Sequence, residues 1–206
     1  MNYEAISSYI TEANMIGRGK EVTVYRYNDK VIKIFHLKRL SDFKRISNEG
    51  LIKLTELNLN VFNKPLDLIY ENQQIVGYTE RYLEEEEVNV GVIDYEKIKE
   101  DLLCLSNHGF YLNDIFYNYI FSGGGVYFTD LTSYQYINTE VDFLKKHIYK
   151  KNLELMNQFL VGLVVFDAFR KGCGYEFSKM YLASAYCHEH CKEIYYGDYL
   201  EKERTR

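Results

Sequence analysis

The hydrophobic pattern of the first 83 residues changes its period twice, and this limits the possible folds more than any other feature of the chain. Runs rich in β-branched and aromatic residues at 22–27 and 31–35 flank a polar turn, and the glycine-containing segment 14–19 precedes them. This pattern predicts three short antiparallel strands. A further hairpin is predicted from strands at 66–70 and 75–83, on either side of a second polar turn.

Between these two groups of strands the apolar residues recur at helical spacing. From about Asp42 they predict one helix of roughly four turns, and Pro65 ends that unit. The apolar positions of this helix are Ile46, Leu51, Leu54 and Leu57. A five-stranded antiparallel sheet with a single helix is therefore expected, which makes the fold class α+β.

The second half of the chain is predicted to be mainly helical. Apolar spacing over 95–108 predicts a helix that ends at the turn Asn107-His108-Gly109. Two short strands are predicted at 119–121 and 126–128, because three consecutive glycines between them suit a tight hairpin turn. Further helices are predicted at roughly 141–149, 153–170 and 177–195.

Composition and length restrict the class of protein. With 206 residues and 47% hydrophobic content, we expect one globular domain or one domain in two lobes. The formal charge of -5 argues against a broad basic face for nucleic acid. No signal peptide or long apolar segment is apparent, and the four cysteines are irregularly spaced. We therefore expect a cytoplasmic protein with neither a membrane nor a nucleic acid as its partner.

A first group of candidate functional residues lies in the predicted sheet. Gly17 and Gly19 stand in a turn between strands, where backbone amides can approach phosphate oxygens, and Val24 follows on the returning strand. Lys33 lies between Ile32 and Ile34, and a charged side chain in an apolar strand needs a partner. We expect that partner to be Glu49, on the single helix; the alternative is an edge-strand lysine that points to solvent.

A second group surrounds the predicted hairpin of the helical half. Asp114 and Asn118 precede its first strand, and Asp130 follows its second strand. Two carboxylates and an amide at the ends of one hairpin can converge on a divalent cation and a hydroxyl nucleophile. The alternative is that these residues only cap turns.

Taken in order, these motifs resemble the protein-kinase-like fold over about residues 14–135. Gly17, Gly19 and Val24 match the glycine-rich loop, Val31-Ile32-Lys33 the lysine strand, and Glu49 the helix glutamate that pairs with the lysine. Segments of the second half resemble the catalytic loop and the metal-binding Asp-Phe-Gly motif. They are His108-Gly109-Phe110-Tyr111-Leu112-Asn113-Asp114-Ile115 and Thr129-Asp130-Leu131-Thr132.

The resemblance implies a compact bilobal kinase, similar to RIO-like and other small bacterial or archaeal serine/threonine kinases. Its N-lobe would be 1–83, its hinge and linker 84–94, and its C-lobe 95–206. ATP and Mg²⁺ would be its cofactors and a protein its substrate or partner.

By resemblance, Lys33 would bind phosphate oxygens with Glu49 as its partner, and Asp114 would act as the catalytic base. Asp130 would bind Mg²⁺, with Asn118 as the ligand of a second ion.

Several departures from the family keep other functions open. Val22 replaces the third glycine, Leu112 a histidine, and Thr132 the glycine after the metal-binding aspartate. Asn118 follows Asp114 by four residues instead of five, and the other alignment puts Asn113 at the aspartate position. A pseudokinase that acts as a nucleotide-binding or regulatory module is the main alternative. A small-molecule phosphotransferase is a further one, although only some seventy residues follow Tyr134.

Two other clusters have a simple and a functional interpretation. Cys187, His190 and Cys191 would share one helix face, and they are interpreted either as half-buried residues of a terminal helix or as metal ligands. The acidic run 84–87 follows the expected hinge and is predicted to be a linker or a solvated loop. The alternative implied by the family resemblance is a role near the ribose or a basic substrate, which kinases bind close to this position.

Overall fold

The computed structural model describes residues 1–36, 46–113, 115–116 and 118–170. Its largest sheet has five antiparallel strands in the order β1-β2-β3-β5-β4. The strands are β1 Met15–Arg18, β2 Val22–Tyr27, β3 Lys30–Phe35, β4 Asp67–Glu71 and β5 Gln74–Arg81. The α+β class and the five-stranded antiparallel sheet are thus confirmed.

Tight turns and one close approach of two strands fix the register of this sheet. Asn28, Asn72 and Gln73 have positive φ angles of 56°, 48° and 66°, as the two-residue turns of hairpins require. Gly77 of β5 pairs with Ile34 of β3, and a Cβ atom at Gly77 would collide with the carbonyl oxygen of Lys33. The absence of a side chain at this position allows β5 to lie close beside β3.

The helix between β3 and β4 is α1, Asn48–Glu56, and it is shorter than predicted. Ser47 caps it by accepting a hydrogen bond from the Gly50 amide at 3.1 Å. Leu57 lies just beyond its end, and its expected beginning near Asp42 lies outside the described residues.

Up to residue 170, the described part of the second half contains two long helices and two small sheets. Helix α2 spans Tyr95–Asn107, as predicted, and α3 runs continuously over Asp142–Arg170. The prediction of two separate helices at 141–149 and 153–170 is therefore wrong, since neither proline nor glycine interrupts the chain between them. The small sheets pair β6 Phe110–Tyr111 with β9 Gln135–Tyr136, and β7 Tyr119–Ser122 with β8 Gly125–Phe128. The predicted helix at 177–195 lies outside the described residues.

The two faces of the five-stranded sheet are covered differently. One face joins the main core with α1, α2 and α3, to which Phe35, Leu51 and Leu102 contribute fully buried side chains. The opposite face is covered by the 3-10 helix Tyr3–Tyr9, whose Ile6 packs with Ile32 and Ile69. The sheet is consequently buried on both sides, which explains the continuous apolar character of β3 around Lys33.

Candidate functional site

Lys33 lies on the central strand of the sheet, and its side chain is only 9% exposed. It pairs with Val24 on β2 and with Tyr78 on β5. Its ammonium group lies 2.7 Å from Oε1 of Glu80, whose side chain is 4% exposed, and 5.6 Å from the centre of the Tyr78 ring. The predicted alternative of a lysine that points to solvent is therefore wrong.

The charges of this site are strongly coupled. Burial alone would lower the pKa of Lys33, but Glu80, Tyr78 and Asp130 together outweigh burial, with Glu80 contributing most among them, and raise the pKa above its ordinary value. Burial raises the pKa of Glu80 and that of the Tyr78 hydroxyl, and in both cases the Lys33 charge opposes the increase. Lys33 is consequently held in its protonated form, which is the form that binds phosphate.

Asp130 reaches the same site from the end of β8. Its charge contributes to the raised pKa of Lys33, so the two groups are close enough to interact. Its backbone is left-handed, with φ 57° and ψ 45°, and Thr132 donates a hydrogen bond at 2.9 Å to its Oδ1. Left-handed backbone at a residue other than glycine costs energy and is concentrated at functional sites. The left-handed residue of this turn is therefore Asp130 itself and not Thr132, which stands where the family has a glycine.

Asn118 is joined to this segment through the backbone. Its carbonyl accepts a hydrogen bond at 2.8 Å from the amide of Thr129, the residue before Asp130. Asn113 is exposed, and its side chain donates a hydrogen bond at 3.2 Å to the Ser133 carbonyl. Asp114 lies outside the described residues, so its catalytic role stays a prediction.

The loop before Asp114 is anchored by a buried asparagine on α3. Asn152 accepts a hydrogen bond from the Leu112 amide at 2.8 Å, and donates to the Phe110 carbonyl at 2.8 Å and to the Ser106 hydroxyl at 2.9 Å. Gly109 begins this segment with a φ of 81°, and a Cβ atom there would collide with the carbonyl oxygen of Ile137. The glycine that the resemblance singled out is therefore required by the backbone.

Glu49 does not pair with Lys33, which corrects the predicted ion pair. Its carboxylate accepts hydrogen bonds from Asn138 at 2.7 Å and from the Tyr136 hydroxyl at 3.4 Å. It lines a groove of about 490 Å³ beside α1, together with residues of both charges such as Lys53 and Glu140. The sequence argument looked for the partner on the helix, whereas the structure supplies it from the neighbouring strand.

The glycine-containing turn is a closed hairpin. Gly17 pairs with Val24 across β1 and β2, and the Gly19 amide donates a hydrogen bond at 2.8 Å to the carbonyl of Val22. Neither glycine has a positive φ. The predicted contact of Gly17 and Gly19 with phosphate stays a prediction.

Glu86 of the acidic run 84–87 makes specific contacts, so this segment is more than a solvated loop. The Glu86 carboxylate accepts hydrogen bonds from the amides of Gly123 at 3.0 Å and Gly124 at 3.3 Å. The Glu86 amide also donates to the carbonyl of Phe121 at 2.7 Å. The segment that follows β5 is thereby attached to the hairpin of β7 and β8, which leads to Asp130.

The oxygen donors of this site suit a hard cation, since Mg²⁺ is commonly bound by one or two protein oxygens together with phosphates and waters. Asp130 offers a carboxylate and Asn118 an amide oxygen. Among the described residues, no group of three or more His, Cys, Asp and Glu side chains is arranged to hold a metal. The cluster Cys187, His190 and Cys191 lies outside that part of the chain.

Sequence reasoning missed Glu80 and Tyr78, the two residues that contact Lys33 from β5. The available signal was an acidic residue within an apolar run that had been assigned to a strand. Its interpretation needed the strand order, because β3 and β5 are adjacent in space but not consecutive in the chain.

Comparisons with known proteins add little to this description. No protein-family model matches the chain, and no curated protein matches it. Among solved structures, it is similar to one described as "Legionella pneumophila Lpg2603 kinase bound to IP6", at 17% identity, over 76% of this chain and 74% of that one. The TM-score of 0.31 is too low for this similarity to support an argument about function.

Within the part of the chain that the structure describes, no helix has the length and apolar character of a membrane span.

Proposed function

We propose that this protein is an ATP-dependent phosphotransferase of the protein-kinase-like fold, in a compact bilobal form, that acts on serine or threonine residues of a protein. One observation carries the proposal: a lysine is buried in the central strand of the sheet in contact with a carboxylate, and an aspartate with left-handed backbone contributes to its raised pKa. A buried cation needs compensating negative charge. Glu80 supplies that charge to Lys33, and Asp130 also acts on the lysine. A nucleotide phosphate with its bound cation is the ligand that would use both Lys33 and Asp130.

The remaining roles follow from the positions of the candidate residues. Lys33 would bind α- and β-phosphate oxygens, while Gly17, Gly19 and Val24 would cover the nucleotide. Asp130 and Asn118 would hold Mg²⁺, which when bound neutralises developing charge on the phosphates. Asp114 would orient the acceptor hydroxyl and accept its proton. Catalysis would depend on positioning and on charge neutralisation more than on covalent chemistry. A cytoplasmic location is part of this proposal.

A nucleotide-binding pseudokinase is the second candidate. It is favoured by the closed glycine turn, in which the Gly19 amide is already bonded to Val22. An amide used in this way has to exchange partners before it can bind a phosphate. Such a protein would bind nucleotide without efficient transfer of the phosphoryl group.

Thermal unfolding with ATP, with and without Mg²⁺, tests both candidates. A ligand that binds only the folded state raises Tm, and at a concentration of 100 Kd it contributes about 2.7 kcal/mol. Lys33→Met alone leaves Glu80 as an uncompensated buried charge, so the double variant Lys33→Met/Glu80→Gln is measured as well. The control is Lys30→Met on the same strand, whose ammonium group pairs with Asp67 at 3.5 Å near the surface.

We expect Mg²⁺-ATP to raise Tm for the parent and for Lys30→Met but not for the double variant. The absence of any shift in the parent would contradict both candidates. An equal shift in the folded double variant would exclude Lys33 from the site.

Turnover then separates the two candidates. Asp114→Asn should leave nucleotide affinity nearly intact and depress autophosphorylation or slow ATP hydrolysis. A parent that binds nucleotide but has no more activity than Asp114→Asn would be a pseudokinase. If Asp114→Asn retains the parent's activity, Asn113 has to be considered at the aspartate position.

A further inference from the structure

We propose that Glu80 on β5, and not Glu49 on α1, is the carboxylate that positions Lys33 for the nucleotide phosphates. This inference rests on the proposed function. It assigns Glu80 as a positioning residue that acts on the nucleotide through Lys33.

The contact between the two side chains is short, and it is buried. The Lys33 ammonium group lies 2.7 Å from Oε1 of Glu80, and the two side chains are 9% and 4% exposed. Such a pair is held in place more firmly than surface pairs, which contribute little and change their geometry easily. A lysine side chain that is not held in place loses conformational entropy when it binds a phosphate, because its four-carbon chain is flexible. The pair with Glu80 restricts the side chain before the phosphate binds.

The register of the sheet explains why a carboxylate on β5 can reach the lysine. Lys33 is paired with Tyr78 and Val31 with Glu80, so Glu80 is the diagonal neighbour of Lys33 on the same face. Diagonal neighbours lie about 7–8 Å apart at their Cα atoms, within reach of a long lysine side chain. Gly77 keeps the two strands close, because no side chain separates it from the Lys33 carbonyl.

The alternative carboxylate is already used elsewhere. Glu49 accepts hydrogen bonds from Asn138 and Tyr136, both of the segment that leads to α3. Movement of Glu49 to Lys33 would break these bonds and would still leave Glu80 in contact with the lysine.

A second observation indicates that the ion pair of Lys33 and Glu80 belongs to a ligand site and does more than stabilise the fold. Oε2 of Glu80 is buried without a hydrogen-bond partner among the described residues. Buried polar atoms of native proteins are nearly always bonded. The unpaired acceptor on the carboxylate that contacts Lys33 therefore points to a hydrogen-bond donor that is present only in the complex.

The test measures the Kd of Mg²⁺-ATP for three variants at a temperature at which each is folded. Glu80→Gln keeps the size of the side chain and removes its charge, Glu49→Gln does the same on α1, and Glu71→Gln is a control at the exposed end of β4. We expect Glu80→Gln to weaken binding by roughly ten- to a hundredfold, the loss typical when a group that orients a ligand is removed. Glu49→Gln and Glu71→Gln should bind within about twofold of the parent.

Each other outcome has a definite meaning. If Glu80→Gln binds like the parent although its stability has changed, the pair is only structural and the inference is wrong. If Glu80→Gln binds more tightly, Glu80 competes with phosphate for Lys33, which also overturns it. A loss confined to Glu49→Gln would restore the pair expected from the family resemblance. If the parent does not bind Mg²⁺-ATP, the proposed function fails, and the inference fails with it.

If Glu80→Gln does not fold, Glu80→Asp provides a second test. It retains the charge but is one methylene shorter. Weaker binding of Mg²⁺-ATP than in the parent is expected, because positioning depends on the reach of the carboxylate. Binding equal to that of the parent would overturn the inference.

Discussion

Asp101 on α2 is the residue whose replacement should destabilise the fold most clearly. Its side chain is 1% exposed, and its two oxygens accept hydrogen bonds from three consecutive backbone amides. The donors are Asn60 at 2.8 Å, Val61 at 2.8 Å and Phe62 at 3.3 Å, and the Asn60 side chain adds a bond at 2.9 Å. One carboxylate therefore joins α2 to the segment that connects α1 with β4.

Asp101→Ala would remove these acceptors and leave the amides of Val61 and Phe62 buried without a partner. Each orphaned buried amide costs about 1–3 kcal/mol, so the free energy of unfolding should fall by roughly 2–6 kcal/mol. The Asn60 amide is excluded from this sum, because Asn60 is exposed and its amide can bind water. With about 4 kcal/mol as the middle of the range, Tm should fall by roughly 8–16 °C for a chain of this size.

Urea denaturation followed by circular dichroism measures this loss directly. Glu100→Ala is the matched control, since Glu100 is the exposed neighbour of Asp101 on the same helix. Asp101→Asn should lie between the parent and Asp101→Ala, because one of its two oxygens is retained. If Asp101→Ala and Glu100→Ala differ by less than about 0.5 kcal/mol, the buried amides do not depend on the carboxylate and the reasoning is refuted.

Three further predictions concern single side chains. Asn152→Ala should lower the free energy of unfolding, measured by urea denaturation, by about 1–3 kcal/mol, because the buried Leu112 amide loses its acceptor. A loss below about 0.5 kcal/mol would contradict this reasoning. Burial and the charge of Asp101 raise the pKa of the Cys104 thiol above its ordinary 9.0. The rate of Cys104 alkylation in the folded protein, measured by peptide mass spectrometry, should therefore still increase as pH rises beyond 9. A rate that stops increasing below pH 9 would be inconsistent with burial. Asp130→Ala should lower the free energy of unfolding by about 1–2 kcal/mol more than Asp130→Asn, because asparagine tolerates left-handed backbone and alanine does not. Both variants should lose the Mg²⁺ dependence of ATP binding. Equal stabilities of the two variants would show that the left-handed backbone carries no strain.

The sheet could be predicted from the sequence because its signals are local. Alternating apolar residues and turn residues at Asn28 and Asn72 lie within a few positions of the strands they connect. The small pair of β6 with β9 was missed, since its strands have two residues each and are separated by more than twenty residues in the chain. Helix α3 was wrongly divided because its apolar residues lose their periodicity near Lys151, although the backbone continues without a break.

The candidate site could be predicted only in part. Lys33 and Asp130 were found because each is a charged residue within or directly after an apolar strand, and the structure shows that their charges interact. The partner of Lys33 was not found, because the sequence argument sought it on the single helix and not on a neighbouring strand. The contact of Glu86 with the amides of Gly123 and Gly124 was also missed, since a run of four acids has no internal signal that distinguishes one member.

The prediction that Glu49 pairs with Lys33 was wrong for a physical reason, which applies to any lysine on the central strand of a sheet. A lysine on a central strand is confined to one face of the sheet, so the side chains nearest to it are those of the same face on the two adjacent strands. For Lys33 these strands are β2, which offers Val24, and β5, which offers Tyr78 and Glu80. A helix carboxylate can replace them only if the helix packs its acidic face against that point. Helix α1 instead buries Gly50, Leu51 and Leu54, and Glu49 lies on its exposed side. The strand order of the sheet thus selects the partner of the lysine, and the position of α1 leaves Glu49 available for the groove beside it.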